Sequence, residues 1–444
     1  MSVLGPISTL QPARPAAYLD LDFSDGDAPH GLVYSRASNS GVWDRDGKYS
    51  VVGPNVPPIT RVEELGSYAL ALEPARTNLL TTTGGRPVGV GPFSRFTQSP
   101  DPVGAYGILA TGIDSPDGGN SAIRVLGRSP SETQSSQVSM PASQALVFTV
   151  YARKVGTSSS FAMRCRAQNP DNTTWVANQT QSSINLDTLE LPSSPDPGVR
   201  YSARRVSRGY VEIRVCLDGT KTPTKIAEGA TVGLYLGYTG GINSAVTGRP
   251  YFDIWYGQAE SGYMGTSLIL PAATPQVRSA YSLRTPINVP QEAGGQFDVL
   301  FDGYVDSGPN TIPGGVILWG VRDGVTSMHR MDVTASSPTD CNVFFQNVGG
   351  ERVRSSSGVG KGPGIPVGRR PCRTTARCAN GVSVGSSGGA AGTNIAVKSD
   401  WSGEQYQHAI TAGAYQPNML VIYLKRAAVF QLGSIMDLSR AANI

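Results

Sequence analysis

Phe297-Asp298-Val299-Leu300-Phe301-Asp302-Gly303-Tyr304-Val305-Asp306 is the stretch that decides the fold class. Phe297, Val299, Phe301 and Val305 alternate with Asp298, Asp302, Tyr304 and Asp306. Successive side chains of a strand point to opposite faces, so this spacing buries one face and wets the other. A helix would instead space its apolar residues three and four apart. The same period of two recurs on both sides. Leu146, Phe148 and Val150 oppose Tyr151 and Arg153, and Phe161-Ala-Met-Arg-Cys-Arg, Gly209 to Leu217 and Ala230 to Tyr238 repeat it. Between Tyr251 and Gln258, Phe252, Ile254 and Tyr256 fall on one side. Downstream, Gly314 to Val321 is fully apolar, and Met419 to Leu432 reads as one long strand or a strand pair. Asn380-Gly381 between alternating residues is a hairpin signal. Strands this short, bounded by turn residues, predict antiparallel sandwiches. Only Ser434 to Asn443 reads as a short helix.

Composition agrees. The 53 glycines and 32 prolines are close to a fifth of the 444 residues, and only 16% are charged. Long amphipathic helices need the opposite balance. A net charge of +4 is too small a surplus to imply nucleic-acid binding. No apolar run of about 18 residues occurs, so no membrane insertion is expected. The first residues lack the basic start and apolar core of a secretory signal, and a chain made in the cytosol is expected. Five cysteines leave at least one unpaired, and no disulfide scaffold is expected.

The N-terminal part has its own character. After the strand-like Ala16 to Phe23, Leu32 to Val52 reads as two short strands around a turn at Asp44-Arg45-Asp46-Gly47. In Tyr68-Ala69-Leu70-Ala71-Leu72-Glu73, alternation sets Ala69, Ala71 and Glu73 on one face before Pro74 stops the strand. An unpaired charge in such apolar surroundings is costly. Arg36, Glu73 and Arg76 are therefore expected to form a structural ion-pair network, with Glu73 pairing with Arg36 or Arg76. The chain divides into residues 1–83 as a β-rich leader, 84–280 as one sandwich and 281–444 as a second.

Three segments together resemble a family of bacteriophage virion proteins, tail fibre and minor structural proteins. The first is Val33-Tyr-Ser-Arg-Ala-Ser, the Asp-Arg-Asp-Gly turn, Asn55-Val-Pro and Leu72-Glu-Pro-Ala-Arg-Thr-Asn-Leu-Leu. The second is Phe252-Asp-Ile-Trp-Tyr-Gly-Gln-Ala-Glu-Ser-Gly leading into Gly265-Thr-Ser-Leu-Ile-Leu-Pro, similar to the closing strand of a jelly-roll module. The third, Val429 to Ala441 with the hairpin at Asn380, is similar to the end of a laminin-G or concanavalin-like lectin domain. Leu268 and Leu270 depart from the Tyr and nearby Pro common in the family's exit. The resemblance implies an anchoring leader, a jelly-roll carbohydrate-binding-module-like sandwich and a lectin-like sandwich. It also implies a virion location, with other virion proteins as partners, a homotrimer, and a host-surface polysaccharide as ligand.

No catalytic residue is expected. His30, His329 and His408 sit in no motif. Gly-x-Ser-x-Gly occurs around Ser383 and Ser387, but a nucleophile elbow needs a strand-to-helix turn there. A pair of carboxylates acting on a glycosidic bond leaves no sequence signature, so a polysaccharide depolymerase stays an alternative. So does a capsid decoration or tail-assembly component with a purely architectural role. No metal or cofactor is expected: Asp44-Arg-Asp46-Gly47 reads as a turn, since a calcium loop needs further oxygen ligands. Arginines cluster at Arg200, Arg204, Arg205 and Arg208, and at Arg369, Arg370, Arg373 and Arg377. They are read as solvated faces or subunit contacts, or as attraction for phosphates and acidic sugars. Ring faces cover the apolar faces of sugars. Trp175 and Trp401, among polar loop residues, are the carbohydrate-binding candidates. Trp319 reads as core, and the face that carries Trp255 reads as either buried or exposed.

Overall fold

The computed structural model describes residues 17–30, 32–81, 97–98, 107–126, 134–156, 159–168, 175–177, 183–193, 196–237, 251–262, 264–272, 274–279, 281–287, 297–307, 316–323, 327–337, 340–346, 352–355, 369–379, 382–387, 390–391, 395–396, 406–410 and 420–431. Their regular structure is strand, apart from the two single 3-10 turns Glu63–Leu65 and Ser207–Gly209. The strands assemble into five sheets, and every pairing is antiparallel except that of Thr97–Gln98 with Gly107–Ile113. The chain is an all-β protein.

The central sandwich has its core between two sheets. The larger sheet runs in the order Val199–Arg205, Val211–Asp218, Ala145–Val155, Tyr251–Ser261, Ala122–Leu126, Gly107–Ile113. The smaller runs Gln134–Ser139, Thr231–Gly237, Ser160–Gln168, Trp175–Ala177. Leu146, Phe148, Val150 and Ala152 interdigitate with Phe161, Met163, Val232 and Leu234 in one buried cluster. Phe161 meets Phe252 edge to face, ring centres 5.1 Å apart.

Ala145–Val155 is buried on both faces along most of its length, because a second cluster covers the outer face of the larger sheet. That cluster joins Tyr151, Tyr210, Trp255 and Tyr256 to Trp43 and Tyr49 of the leader. A bulge builds it. Val150 pairs with Gly257 but Ala152 pairs with Ile254, so two residues, Trp255 and Tyr256, lie opposite Tyr151. The extra residue resets the alternation. Phe252 and Ile254 stay in the sandwich core while Tyr256 joins Trp255 on the other face, which corrects the shared face expected for all three. Trp255 is fully buried.

Residues 32–52 form three strands rather than two. Ser40–Trp43 and Tyr49–Val52 make the hairpin, whereas Val33–Ser35 pairs with Ser282–Ile287 in a seven-stranded sheet. The remaining nine-stranded sheet combines both ends of the described chain. Phe297–Ser307 pairs with Arg369–Ala379 and with the single long strand Leu420–Gln431. Leu420–Gln431 in turn pairs with Ala17–Asp22 and Ser67–Leu72. Ala379 pairs with Val382, as the Asn380-Gly381 hairpin requires. Asn380, Gly381 and the helix expected over 434–443 lie outside the described residues.

Candidate functional site

Two polar assemblies stand out, one interior and one at the surface. The interior one forms where the leader meets the larger sheet. Glu73 follows the strand Ser67–Leu72 and is fully buried. Its carboxylate accepts from the backbone N–H and the hydroxyl of Ser267, and Arg278 Nη1 lies 2.9 Å from Glu73 Oε2. Arg36 Nη1 is 4.0 Å from the same oxygen, and its Nη2 donates to the Glu73 carbonyl at 2.9 Å. Arg278 also donates to Thr266 Oγ1 and to Ser267 O. Arg76 is buried one strand over, in the electrostatic reach of Glu260.

Burial pushes the Glu260 carboxyl up, while Arg76, Arg278 and the hydrogen bonds from Thr266 hold it down. Gln258 Nε2 donates to Glu260 Oε2 at 2.8 Å, and Asn78 Nδ2 donates to the Ile269 carbonyl at 2.8 Å. The rings of Tyr34 and Tyr281 stack with centroids 6.4 Å apart, each about 6 Å from the Arg36 guanidinium. Burial pushes the Tyr34 hydroxyl up to about 12.

The structure thus brings Arg36 close to Glu73 but gives Glu73 its shortest ion pair with Arg278, which was not among the expected residues. Arg278 lies on Gln276–Arg278, paired residue for residue with Arg76–Asn78. The signal available in the sequence was another arginine in a short strand flanked by apolar segments. This assembly is sealed from water, so it holds the fold together and offers no ligand access.

The surface assembly is a groove of about 540 Å³ where the leader hairpin meets the rim of the sandwich. One wall is the turn Asp44–Gly47 with Arg61 and Glu63, and the other is Ala203 to Ser207 with Leu189. The turn forms because Asp44 Oδ1 accepts the N–H groups of Asp46 and Lys48 at 2.9 and 2.7 Å. Gly47 takes φ +71°, and a Cβ there would sit 3.2 Å from the Ser207 backbone. Glycine lets the turn close onto the opposite wall at no steric cost.

Arg204 lies 5.9 Å from the centre of the buried Trp43 ring and is held by Glu212 through Nε at 3.0 Å and Nη2 at 2.7 Å. Arg205 donates to the Asp187 carbonyl. Arg61 donates to the Gly66 carbonyl at 2.7 Å and stands 3.9 Å from the exposed Glu63. Leu189 holds φ +62°, a conformation bulky residues rarely adopt.

Two of the features marked in the sequence meet here, the Asp44–Gly47 turn and part of the first arginine cluster. Of that cluster, Arg204 and Arg205 line the groove. Arg200 contacts the Cys216 sulfur and Arg208 pairs with Asp114 at 3.4 Å. The second cluster lies on Arg369–Ala379, where the register sets Arg377, Arg373 and Arg369 opposite Asp298, Asp302 and Asp306. Trp175 begins the strand Trp175–Ala177, opposite Gln168 at the rim of the smaller sheet. Trp401 lies outside the described residues. Ser383 is inside the strand Val382–Ser387 and Ser387 ends it, neither at a strand-to-helix turn. Among the described residues no group of three or more His, Cys, Asp or Glu is placed to hold a metal ion. No helix among them is long and apolar enough to cross a membrane.

No protein-family model and no curated protein sequence matches the chain. Among solved structures, the mouse laminin alpha1 chain, domains LG4-5, is similar at 12% identity and a TM-score of 0.16. The match covers 73% of this chain and 84% of that one. A likeness this loose adds nothing to the β architecture read from the chain's own sheets.

Proposed function

We propose that this chain is a bacteriophage structural protein, carried on the virion as a tail fibre or adhesin, that binds a host-surface glycan without turning it over. The observation that carries this reading is the groove between the Asp44–Gly47 turn and the Ala203–Ser207 rim. It is lined by arginine, aspartate and glutamate beside apolar residues, and its volume is within the size range of ligand clefts, about 300 to 1,000 Å³. The resemblance of the leader and of the Phe252 to Pro271 segment to phage virion proteins supports the same reading. Each site would be weak alone, and several copies in one assembly, a homotrimer in this proposal, would supply affinity for a repeating polymer.

Purified protein applied to an array of bacterial surface polysaccharides tests it, with competition against phage adsorption as a second readout. Retention on at least one glycan with the polymer left uncut is expected. Absence of binding across the array, with labelled protein located on the head of the particle, would instead favour a capsid decoration or tail-assembly role. One observation favours that second reading: of the residues that carry the resemblance, the Asp44–Gly47 turn lines the groove, but Arg36, Glu73, Arg76, Gln258 and Glu260 serve the sealed interior.

A further inference from the structure

We propose that the groove selects a carboxylate-bearing saccharide, held across the seam between leader and sandwich by Arg45, Arg61 and Arg205. This rests on the glycan-binding reading and narrows it to a ligand class.

The charges of the lining divide into committed and free. Arg204 is committed, because Nε and Nη2 both donate to Glu212 and its Cζ lies over the Trp43 ring at 5.9 Å. Asp44 is committed to closing its turn. Arg45 is exposed and forms no ion pair among the described residues. Arg205 gives one nitrogen to a backbone carbonyl and keeps the rest of its fork. Arg61 gives Nη1 to the Gly66 carbonyl at 2.7 Å and lies 6.0 Å from the centre of the Tyr68 ring, but its ion pair is loose, since the Glu63 side chain at 3.9 Å is 84% exposed.

Three arginines from three separate segments line one concavity, each with guanidinium nitrogens left over. A planar guanidinium matches a carboxylate with two parallel hydrogen bonds, which an ammonium does not. Asp46 and Glu63 line the same groove. Their negative charge repels a densely charged polymer such as a nucleic acid or polyphosphate. It suits a sugar chain, whose hydroxyl groups donate to carboxylates and whose acidic groups are spaced apart. Ala203, Val206 and Leu189 supply apolar surface for the C–H faces of the rings.

Oligogalacturonate and its methyl ester test the claim, because they share a backbone and differ in the carboxylate charge. Binding to the full-length protein is measured by calorimetry at moderate ionic strength. The acid is expected to bind at least about tenfold tighter than the ester, a difference of about 1.4 kcal/mol. Arg45→Gln and Arg205→Gln are each expected to remove most of that preference. Lys221→Gln, an equal change of charge at an exposed site outside the groove, is expected to leave it intact.

Equal binding of acid and ester overturns the proposal. So does wild-type binding by the Arg45→Gln/Arg205→Gln double variant, or an equal loss in Lys221→Gln, which would indicate diffuse charge attraction. Failure to bind either oligomer also overturns it. If such a protein still bound a neutral glycan on the array, the adhesin reading would survive alone.

Discussion

Glu73 has no water to solvate it, so its charge is stabilised by what the chain places around it: two donors from Ser267, the Arg278 guanidinium and, farther off, Arg36. Removing one member of such a buried set strands the others. Arg278→Ala is therefore expected to cost about 3 to 5 kcal/mol of stability, read from chemical denaturation. Glu73→Gln keeps the shape and loses the charge, and is expected to cost nearly as much because Arg36 and Arg278 remain. A loss under about 1 kcal/mol in both would show the pair to be incidental. Asp114 sits at the other extreme. Its hydrogen bonds with Arg153 at 2.7 and 3.1 Å hold its carboxyl below its ordinary 3.8, but its side chain is 42% exposed. A depressed carboxyl stabilises the fold above its unfolded value and loses that contribution as pH falls through the folded one. Asp114→Asn should cost at most about 1 kcal/mol near neutral pH and converge with the wild type in acid, as pH falls through the depressed folded value. Divergence growing toward acid would contradict the sign. The sequence marks Arg36 and Glu73 as charges in apolar strands that must find partners. It does not mark Arg278, because nothing local says which distant arginine arrives.

At the scale of elements, alternation makes the strands legible and a bulge limits what alternation can say. One extra residue opposite Tyr151 sends Tyr256 to the face of Trp255, and no pattern of apolar residues announces it. The consequence is a second packed face, on which three buried ring tips find a partner. Tyr210 donates to the Asp114 carbonyl at 2.8 Å, Tyr49 to the Leu268 carbonyl at 3.0 Å, and Trp255 Nε1 to Ser121 Oγ at 2.9 Å. The hairpin that delivers Trp43 and Tyr49 was readable from Asp44 and Gly47, but its landing place on the sandwich was not. Gly47→Ala should strain both the turn, at φ +71°, and its approach to Ser207. The expected cost is about 1 to 2 kcal/mol, seen as a lower melting temperature together with weakened groove binding. Unchanged values for both would detach the turn from the groove wall. The second arginine cluster also changes meaning at this scale. Strand register places it against Asp298, Asp302 and Asp306, an arrangement in which opposite charges each contribute roughly 0.2 to 1 kcal/mol.

Across the whole molecule, the leader is distributed rather than appended. Its strands enter four of the five sheets: Ala17–Asp22, Ile59–Val62 and Ser67–Leu72 in one, Val33–Ser35 in a second, the hairpin as a third and Arg76–Asn78 in a fourth. Arg36, Glu73, Arg76 and Asn78 from the leader meet Gln258, Glu260, Thr266 and Ser267 from the closing strand and its exit in the sealed polar assembly. The order of the motifs was visible in one dimension, but their convergence was not, since strand pairing over such separations leaves no local trace. A chain lacking residues 1–83 would expose the ring faces of Trp255 and Tyr151, open the sheet edge at Leu420–Gln431 and leave Glu260 without Arg76 and Arg278 without Glu73. It is expected to lose cooperative unfolding and to expose apolar surface, measurable as a broadened denaturation curve and dye binding. An 84–444 fragment that unfolds in one sharp transition at the full-length midpoint would show instead that the leader only decorates a self-sufficient pair of sandwiches. Adding residues 1–83 back as a separate polypeptide separates the two accounts further. If the buried network drives docking, the leader fragment rescues the sharp transition, and Glu73→Gln within that fragment abolishes the rescue.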